Sequence, residues 1–353
     1  MKPFIVMDIV KKAKEIEDVI HLEIGEPDLL PPPGVKKALQ KAIDKNRFFY
    51  TQSKGLPELR EKIAAHYKVF YNIDINPKNI LITTGTSTAF LIALYFSNKI
   101  ATPTPGYPCY ENFAKLENKE FIKIKTYKLT PKDIPQNIDT LLISSPNNPT
   151  GSVYNKNELK EICEYCQNNN ITLISDELYH GLIYEEDYTS AVKYNKNAIV
   201  INGFSKFFCM PGLRIGWMIV PDKLLREAEI IAQNILISAP TLSQYAALDA
   251  FDYNYLESVK KEFKKRRDFL YEELKELFPI TKPKGAFYLW CDISEYSNDS
   301  LKFCNELLTE AKVAVTPGVD FGDFKNFIRI AYTKDIKELE IAVKRIKVFI
   351  KGK

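Results

Sequence analysis

The chain has 353 residues, 45% of them hydrophobic. That is globular composition, with room for a sizeable core and, on length, for two domains. The 49 basic and 45 acidic residues nearly balance at a net charge of +4, which argues against nucleic acid as a partner. The apolar run at residues 4–7 is broken by Asp8, too short for a signal peptide or a membrane span.

Residues 1–19 read as an amphipathic helix. A short strand follows in HLEIGEPD, then the loop Leu29-Leu30-Pro31-Pro32-Pro33 and a helix over residues 35–45. In FFYTQSKGLPELREKIAAHY a loop leads into a helix opened by Pro57, where the missing N–H is harmless. ILITTGTSTAFLIAL is a strand, a Gly/Thr/Ser turn and an apolar helix. Its helix N-terminus offers unpaired N–H groups beside the hydroxyls of Thr86, Ser87 and Thr88, a cradle suited to a phosphate. Alone it would also suit an ordinary capped helix start.

ATPTPGYPCYENF is a proline-rich turn after a strand. Residues 141–144 form a buried strand that ends in SSPNNPTG, the kind of strand-end loop where α/β ligand sites gather. The six cysteines are scattered. Cys163 and Cys166 form a CxxC, but they share one helical face with Leu159 and Ile162. Packing rather than zinc or redox chemistry is expected. A reduced, cytoplasmic protein without a metal site is the corresponding expectation.

ITLISDELYHGLIY is another buried strand, with Asp176 at its end. Residues 198–221, AIVINGFSKFFCMPGLRIGWMIVP, set two cations, Lys206 and Arg214, into an apolar run. Buried charge is costly unless paired, so an anionic partner is expected there. A lysine so placed can also lose its proton and attack a carbonyl. The pattern is then helical through ISAPTLSQYAALDAF and a long helix ending near Phe278, whose basic face at residues 260–267 reads as solvated. KPKGAFYLWCDI, KVAVTPGVDFG and NFIRIAY read as strands, with Arg329 set among apolar neighbours. A final helix repeats Ile336, Leu339, Val343, Ile346 and Ile350.

Taken in this order, IGEPD, the tyrosine before GLPELR, TTGTST, the PGY turn, NNPTG, SDELY, SK with the following arginine, and FIRIAY resemble the class I/II aminotransferases. These are fold-type I, pyridoxal 5'-phosphate-dependent enzymes similar to aspartate aminotransferase, and the resemblance covers nearly the whole chain. It implies an α/β fold: a large α/β/α domain with a mixed, mostly parallel sheet at residues 40–270, and a smaller α/β domain from residues 1–39 and 271–353. It implies that Lys206 forms the Schiff base with the cofactor. Thr86, Ser87, Gly203, Ser205 and Arg214 would surround the phosphate, with Tyr50 of the other subunit of a homodimer. Tyr107 would stack on the pyridine ring, and Asn148 and Tyr179 would bond its 3-hydroxyl oxygen. Asp176 would pair with the ring nitrogen; opposite charges about 3 Å apart at a dielectric of ~20 interact by roughly 5 kcal/mol. Gly25, Asn148 and Arg329 would take the substrate carboxylate, a planar guanidinium being suited to two parallel bonds. His180 has no counterpart and reads as structural.

The implied activity is amino transfer from an L-amino acid to a 2-oxo acid with ping-pong kinetics. Aspartate-type, broad and succinyl-diaminopimelate-type substrates stay open, as does a carbon–sulfur β-lyase on the same fold. A regulator built on this fold would need an added DNA-binding region, and no helix-turn-helix pattern is read here.

Overall fold

The computed structural model describes residues 4–353. Helix α1 (Ile5–Lys14) is shorter than the helix expected over residues 1–19, of which residues 1–3 lie outside the described residues. After Lys14 the chain turns through Asp18, at φ 61°, whose carbonyl accepts from Arg345 Nη1 at 2.7 Å. Strand β1 (Ile20–His21) follows, then α2 (Pro33–Asp44) and α3 (Pro57–Tyr71), both opened by a proline.

Seven strands make the main sheet: β2 (Ile80–Thr83), β3 (Lys99–Thr104), β4 (Glu120–Lys125), β5 (Thr140–Ser144), β6 (Thr172–Asp176), β7 (Ile199–Gly203) and β8 (Gly216–Ile219). Their spatial order is β2-β8-β7-β6-β5-β3-β4, with β8 antiparallel to both neighbours and the other pairs parallel. Strands β5 and β7 are buried along their whole length, which is why they read as unbroken apolar runs.

Helices α4 (Gly85–Tyr95), α5 (Cys109–Leu116), α6 (Lys156–Asn168) and α7 (Asp222–Leu236) cover the sheet. Phe90, Tyr110 and Ala228 pack with Leu81, Leu142 and Ile174 in one apolar cluster. Ile63, Tyr67 and Cys163 pack with Leu141, Ile143 and Leu173 in the other. Successive residues of β5 thus enter opposite layers, as the strand period requires, and the result is an α/β/α sandwich. The two cysteines of the CxxC lie in that core, and all six cysteines are unpaired.

The helical pattern expected to run on after α7 is interrupted. Ile237 takes φ 63°, ψ −65°, and Ser238 N–H donates to the Leu236 carbonyl at 2.7 Å, a tight three-residue turn. Only then do α8 (Thr241–Ala247) and α9 (Tyr253–Leu274) form. Strand β9 (Tyr288–Asp292), α10 (Ser300–Ala311), β10 (Val313–Ala314), β11 (Thr316–Pro317), β12 (Phe327–Ala331) and α11 (Ile336–Lys351) complete the chain. Strands β11-β12-β9 form an antiparallel sheet, and β1 pairs in parallel with β10. The segment GVDF, expected as strand, is a 3-10 turn at Gly318–Phe321. Among the described residues no helix is long and apolar enough to cross a membrane.

Candidate active site

The C-terminal edge of the main sheet gathers the polar residues, as in other α/β folds. There β2 runs into Gly85, β5 leads to Asn148, β6 ends on Asp176, and β7 ends three residues before Lys206. Strand β8 is antiparallel, so it begins at the same edge, directly after Arg214 and Ile215.

Lys206 is half-buried, and its Nζ donates to the Gly25 carbonyl at 2.6 Å. Desolvation, reinforced by the charge of Arg329, pushes its amine down to about 8. Gly25 belongs at this point because a Cβ there would come within 1.8 Å of the Tyr288 hydroxyl. Tyr288 Oη in turn lies 2.6 Å from Tyr179 Oη. Burial raises both phenols further above their ordinary values.

Asp176 is buried, which pushes its carboxyl up to about 6. Two donors oppose that rise. Tyr110 Oη donates to Oδ2, and Leu178 N–H donates to Oδ1 at 3.1 Å. Tyr107 stands edge-on to Tyr110, with ring centroids 5.5 Å apart, so the proline-rich turn and the end of β6 form one aromatic and acidic wall.

Arg329 lies on β12, opposite Trp290 and Thr316. Its Nη1 donates to Asn148 Oδ1 at 2.9 Å; its Nη2 donates to the Glu23 carbonyl at 2.5 Å and to Thr316 Oγ1 at 3.1 Å. The guanidinium sits 4.3 Å from the Tyr288 ring centroid and 5.0 Å from that of Phe321. Its Nε is buried with no partner. An orphaned cationic N–H is expensive, and a carboxylate is the chemistry that would satisfy it.

Helix α4 begins at Gly85, and its N-cap Thr84 provides no side-chain cap. Thr86 and Ser87 occupy the first turn, half-buried, while Thr88 Oγ1 donates back to the Thr84 carbonyl at 3.2 Å and is lost to any ligand. Arg214 is exposed, not buried as its apolar surroundings in the sequence suggest. Its left-handed backbone, φ 51°, turns the guanidinium toward the start of α4, where a Cβ on Gly85 would lie 2.5 Å from Nη2. Ser205 and Gly203 are buried. A Cβ at Gly203 would approach Thr86 Cγ2 to 3.2 Å, so the glycine leaves room for that threonine.

One candidate stands apart: Tyr50 is 78% exposed, unlike the half-buried and buried residues around Lys206. Sequence reasoning missed Tyr110 and Tyr288, which hold Asp176 and Tyr179 from distant parts of the chain, and Thr316, which holds Arg329 from the neighbouring strand. A cavity of about 690 Å³ opens on the side of Tyr107 toward Phe121, Lys123, Tyr127 and Phe324, and Lys206 does not line it.

The arrangement offers hydroxyl and helix-end N–H donors, a buried acid, a desolvated amine and a buried arginine. Comparison with known proteins identifies the family. The family described as aminotransferase class I and II matches residues 17–346. The chain is 38% identical to the (5-formylfuran-3-yl)methyl phosphate transaminase of Methanocaldococcus jannaschii, over 98% of this chain and 96% of that one. It is 34% identical to the valine–pyruvate aminotransferase of Mycobacterium tuberculosis, over 98% and 95%. A crystal structure of an aminotransferase from M. tuberculosis superposes with a TM-score of 0.96 at 34% identity, covering 100% of this chain and 98% of that one. With this match over nearly its full length, the chain belongs to the class I and II aminotransferases, a pyridoxal phosphate-dependent family of transaminases.

Proposed function

We propose that this transaminase binds pyridoxal 5'-phosphate and moves the amino group of an L-amino acid to a 2-oxo acid, with an aspartate-type or broad range of donors. The carrying observation is the desolvated Lys206 amine, held by the Gly25 carbonyl and flanked by Asp176 and Arg329. The residues present fit the cofactor. Lys206 would hold its aldehyde carbon, Asp176 its ring nitrogen, Asn148 and Tyr179 its 3-hydroxyl oxygen, and Tyr107 its ring face. Thr86, Ser87, Gly203, Ser205, Arg214 and the α4 N-terminus would hold its phosphate. When bound, the ring supplies an electron sink that stabilises negative charge at the substrate's α-carbon.

The rest of the chemistry belongs to the protein. Arg329 grips the substrate carboxylate, with its Nε available and Asn148 and Gly25 beside it. Lys206 moves the α-proton; an amine lowered toward neutrality by burial is suited to take and return it. Asp176 stays anionic near pH 7 and keeps the ring nitrogen protonated. The division into residues 40–270 and residues 1–39 with 271–353 is also ours, supported by the β1–β10 pairing and by contact of α1 with residue 320.

The test is a panel of amino donors against 2-oxoglutarate and pyruvate, with the cofactor added. Parallel double-reciprocal plots and loss of all transfer in Lys206→Ala are expected. Borohydride should fix the pyridoxyl label on Lys206. Release of ammonia and pyruvate without an acceptor, or a label on another residue, would overturn the reading.

A further inference from the structure

Glu177 follows Asp176 directly and is 1% exposed, yet the reaction above does not use it. Its Oε1 accepts from Ser175 Oγ at 3.1 Å, Ser190 Oγ at 3.0 Å and Ala191 N–H at 2.8 Å. Its Oε2 is buried with no hydrogen-bond partner. His180 Nδ1 lies 3.4 Å from it and 2.9 Å from the Tyr71 hydroxyl. The imidazole also bonds the Ser145 backbone; with its ring proton on Nε2, Nδ1 turns a lone pair to the side of Tyr71 and Glu177 Oε2.

An ionised Glu177 would therefore set an unpaired carboxylate oxygen against a nitrogen lone pair, away from water. That is a poor contact and an unsatisfied buried charge at once. A proton on Oε2 removes both faults. The groups facing this carboxyl are Ser175 and Asp176 on β6, Ser190, Ala191 and Tyr188 beyond it, His180, Cys163 on α6, and Tyr67 and Tyr71 on α3. Of these, Asp176 alone carries charge at neutral pH, and it has the same sign.

We propose that Glu177 is a positioning residue that keeps its proton at neutral pH, leaving Asp176 as the sole anion at the end of β6 and pinning the turn that presents Tyr179. Burial acts in the matching direction on both partners, pushing Glu177 up to about 8 and His180 down to about 3. Above that range a second anion next to Asp176 loosens the turn, and turnover falls on the alkaline side. The functional half rests on the assignment of Asp176 to the ring nitrogen; the protonation state does not.

Infrared spectroscopy of the full chain without added cofactor reads the proton directly. Wild type is expected to show a protonated-carboxyl band at pH 7 that titrates away near pH 8 and is missing from Glu177→Gln. No such band in wild type, a measurement that needs no variant to fold, overturns the proposal, as does the same band in the variant. The positioning role has its own readout: in the cofactor-loaded protein, Glu177→Gln should move the alkaline fall of kcat to higher pH, and an unmoved fall overturns it. A failed Asp176 assignment would show separately, as unchanged cofactor absorption in Asp176→Asn.

Discussion

The two Nη groups of Arg329 are committed to Asn148, Glu23 and Thr316, two aromatic rings lie against its guanidinium, and its Nε is buried without a hydrogen-bond partner. Lysine keeps the charge but loses the fork. Arg329→Lys should lower kcat/KM roughly 10- to 100-fold, from the ~1.5–3 kcal/mol typical of hydrogen bonds to charged groups, and mostly through KM. An unaltered KM for the amino donor would show that the carboxylate binds elsewhere. Tyr110 gives a pH prediction. Burial raises the Asp176 carboxyl to about 6, and the Tyr110 hydroxyl restrains that rise. In the proposed reaction the working form is the carboxylate, and the ring cation beside it lowers its pKa once the cofactor is bound, so activity is lost as pH falls through the value of the loaded protein, which lies below that of the chain alone. Tyr110→Phe removes a restraining donor and should move the acid limb of kcat upward; a limb that stays in place would detach Tyr110 from the chemistry. Lys206, Asp176 and Arg329 stand out as candidates in sequence because each interrupts an apolar run or ends a strand, and Asn148 because it lies in the loop after one. Tyr110 and Tyr288 were not, because a buried tyrosine looks the same whether it packs or holds a partner 66 or 109 residues away.

Helices follow their apolar periodicity well and their ends poorly. The N-cap of α1, Phe4, has no side chain to offer, and the cap comes from Asp320, whose Oδ1 accepts from Ile5 N–H at 2.9 Å and whose Oδ2 accepts from Val6 N–H at 3.3 Å. No local pattern announces a cap supplied from 315 residues away. Asp320→Ala should weaken the docking of α1 by about 1 kcal/mol, the usual worth of a capping oxygen. Faster amide exchange at Ile5 and Val6, with α11 unaffected, is the expected signature, and equal exchange in both proteins would remove Asp320 from that role. The break after α7 was hidden for a related reason. A positive φ is ordinarily announced by glycine or asparagine, and here it falls on the β-branched Ile237. Pro240 does mark where α8 can start, but the apolar period on either side masks the turn between.

The order of strands and helices could be read from alternating apolar runs, because every layer of an α/β/α sandwich must bury a face. Assembly is written in exposure, which a sequence does not display. Phe49 and Tyr50 are 81% and 78% exposed, beside a flank where Thr241 Oγ1 donates to the Phe49 carbonyl at 2.7 Å. Two adjacent aromatics left in water, one of them a cofactor candidate, are accounted for if a second copy covers them and Tyr50 completes the site across the interface. Mixing two variants, each expected to be inactive alone, tests this. Lys206→Ala lacks the amine and Tyr50→Ala lacks the phenol. If the phenol serves the neighbour's site, a mixed dimer has one site with both defects and one site with none. Refolding the two variants together in equal amounts should then recover roughly a quarter of the wild-type rate, since half of randomly paired dimers are mixed and each has one intact site. If each Tyr50 served its own chain, every site in every dimer would keep a defect and mixing would recover nothing.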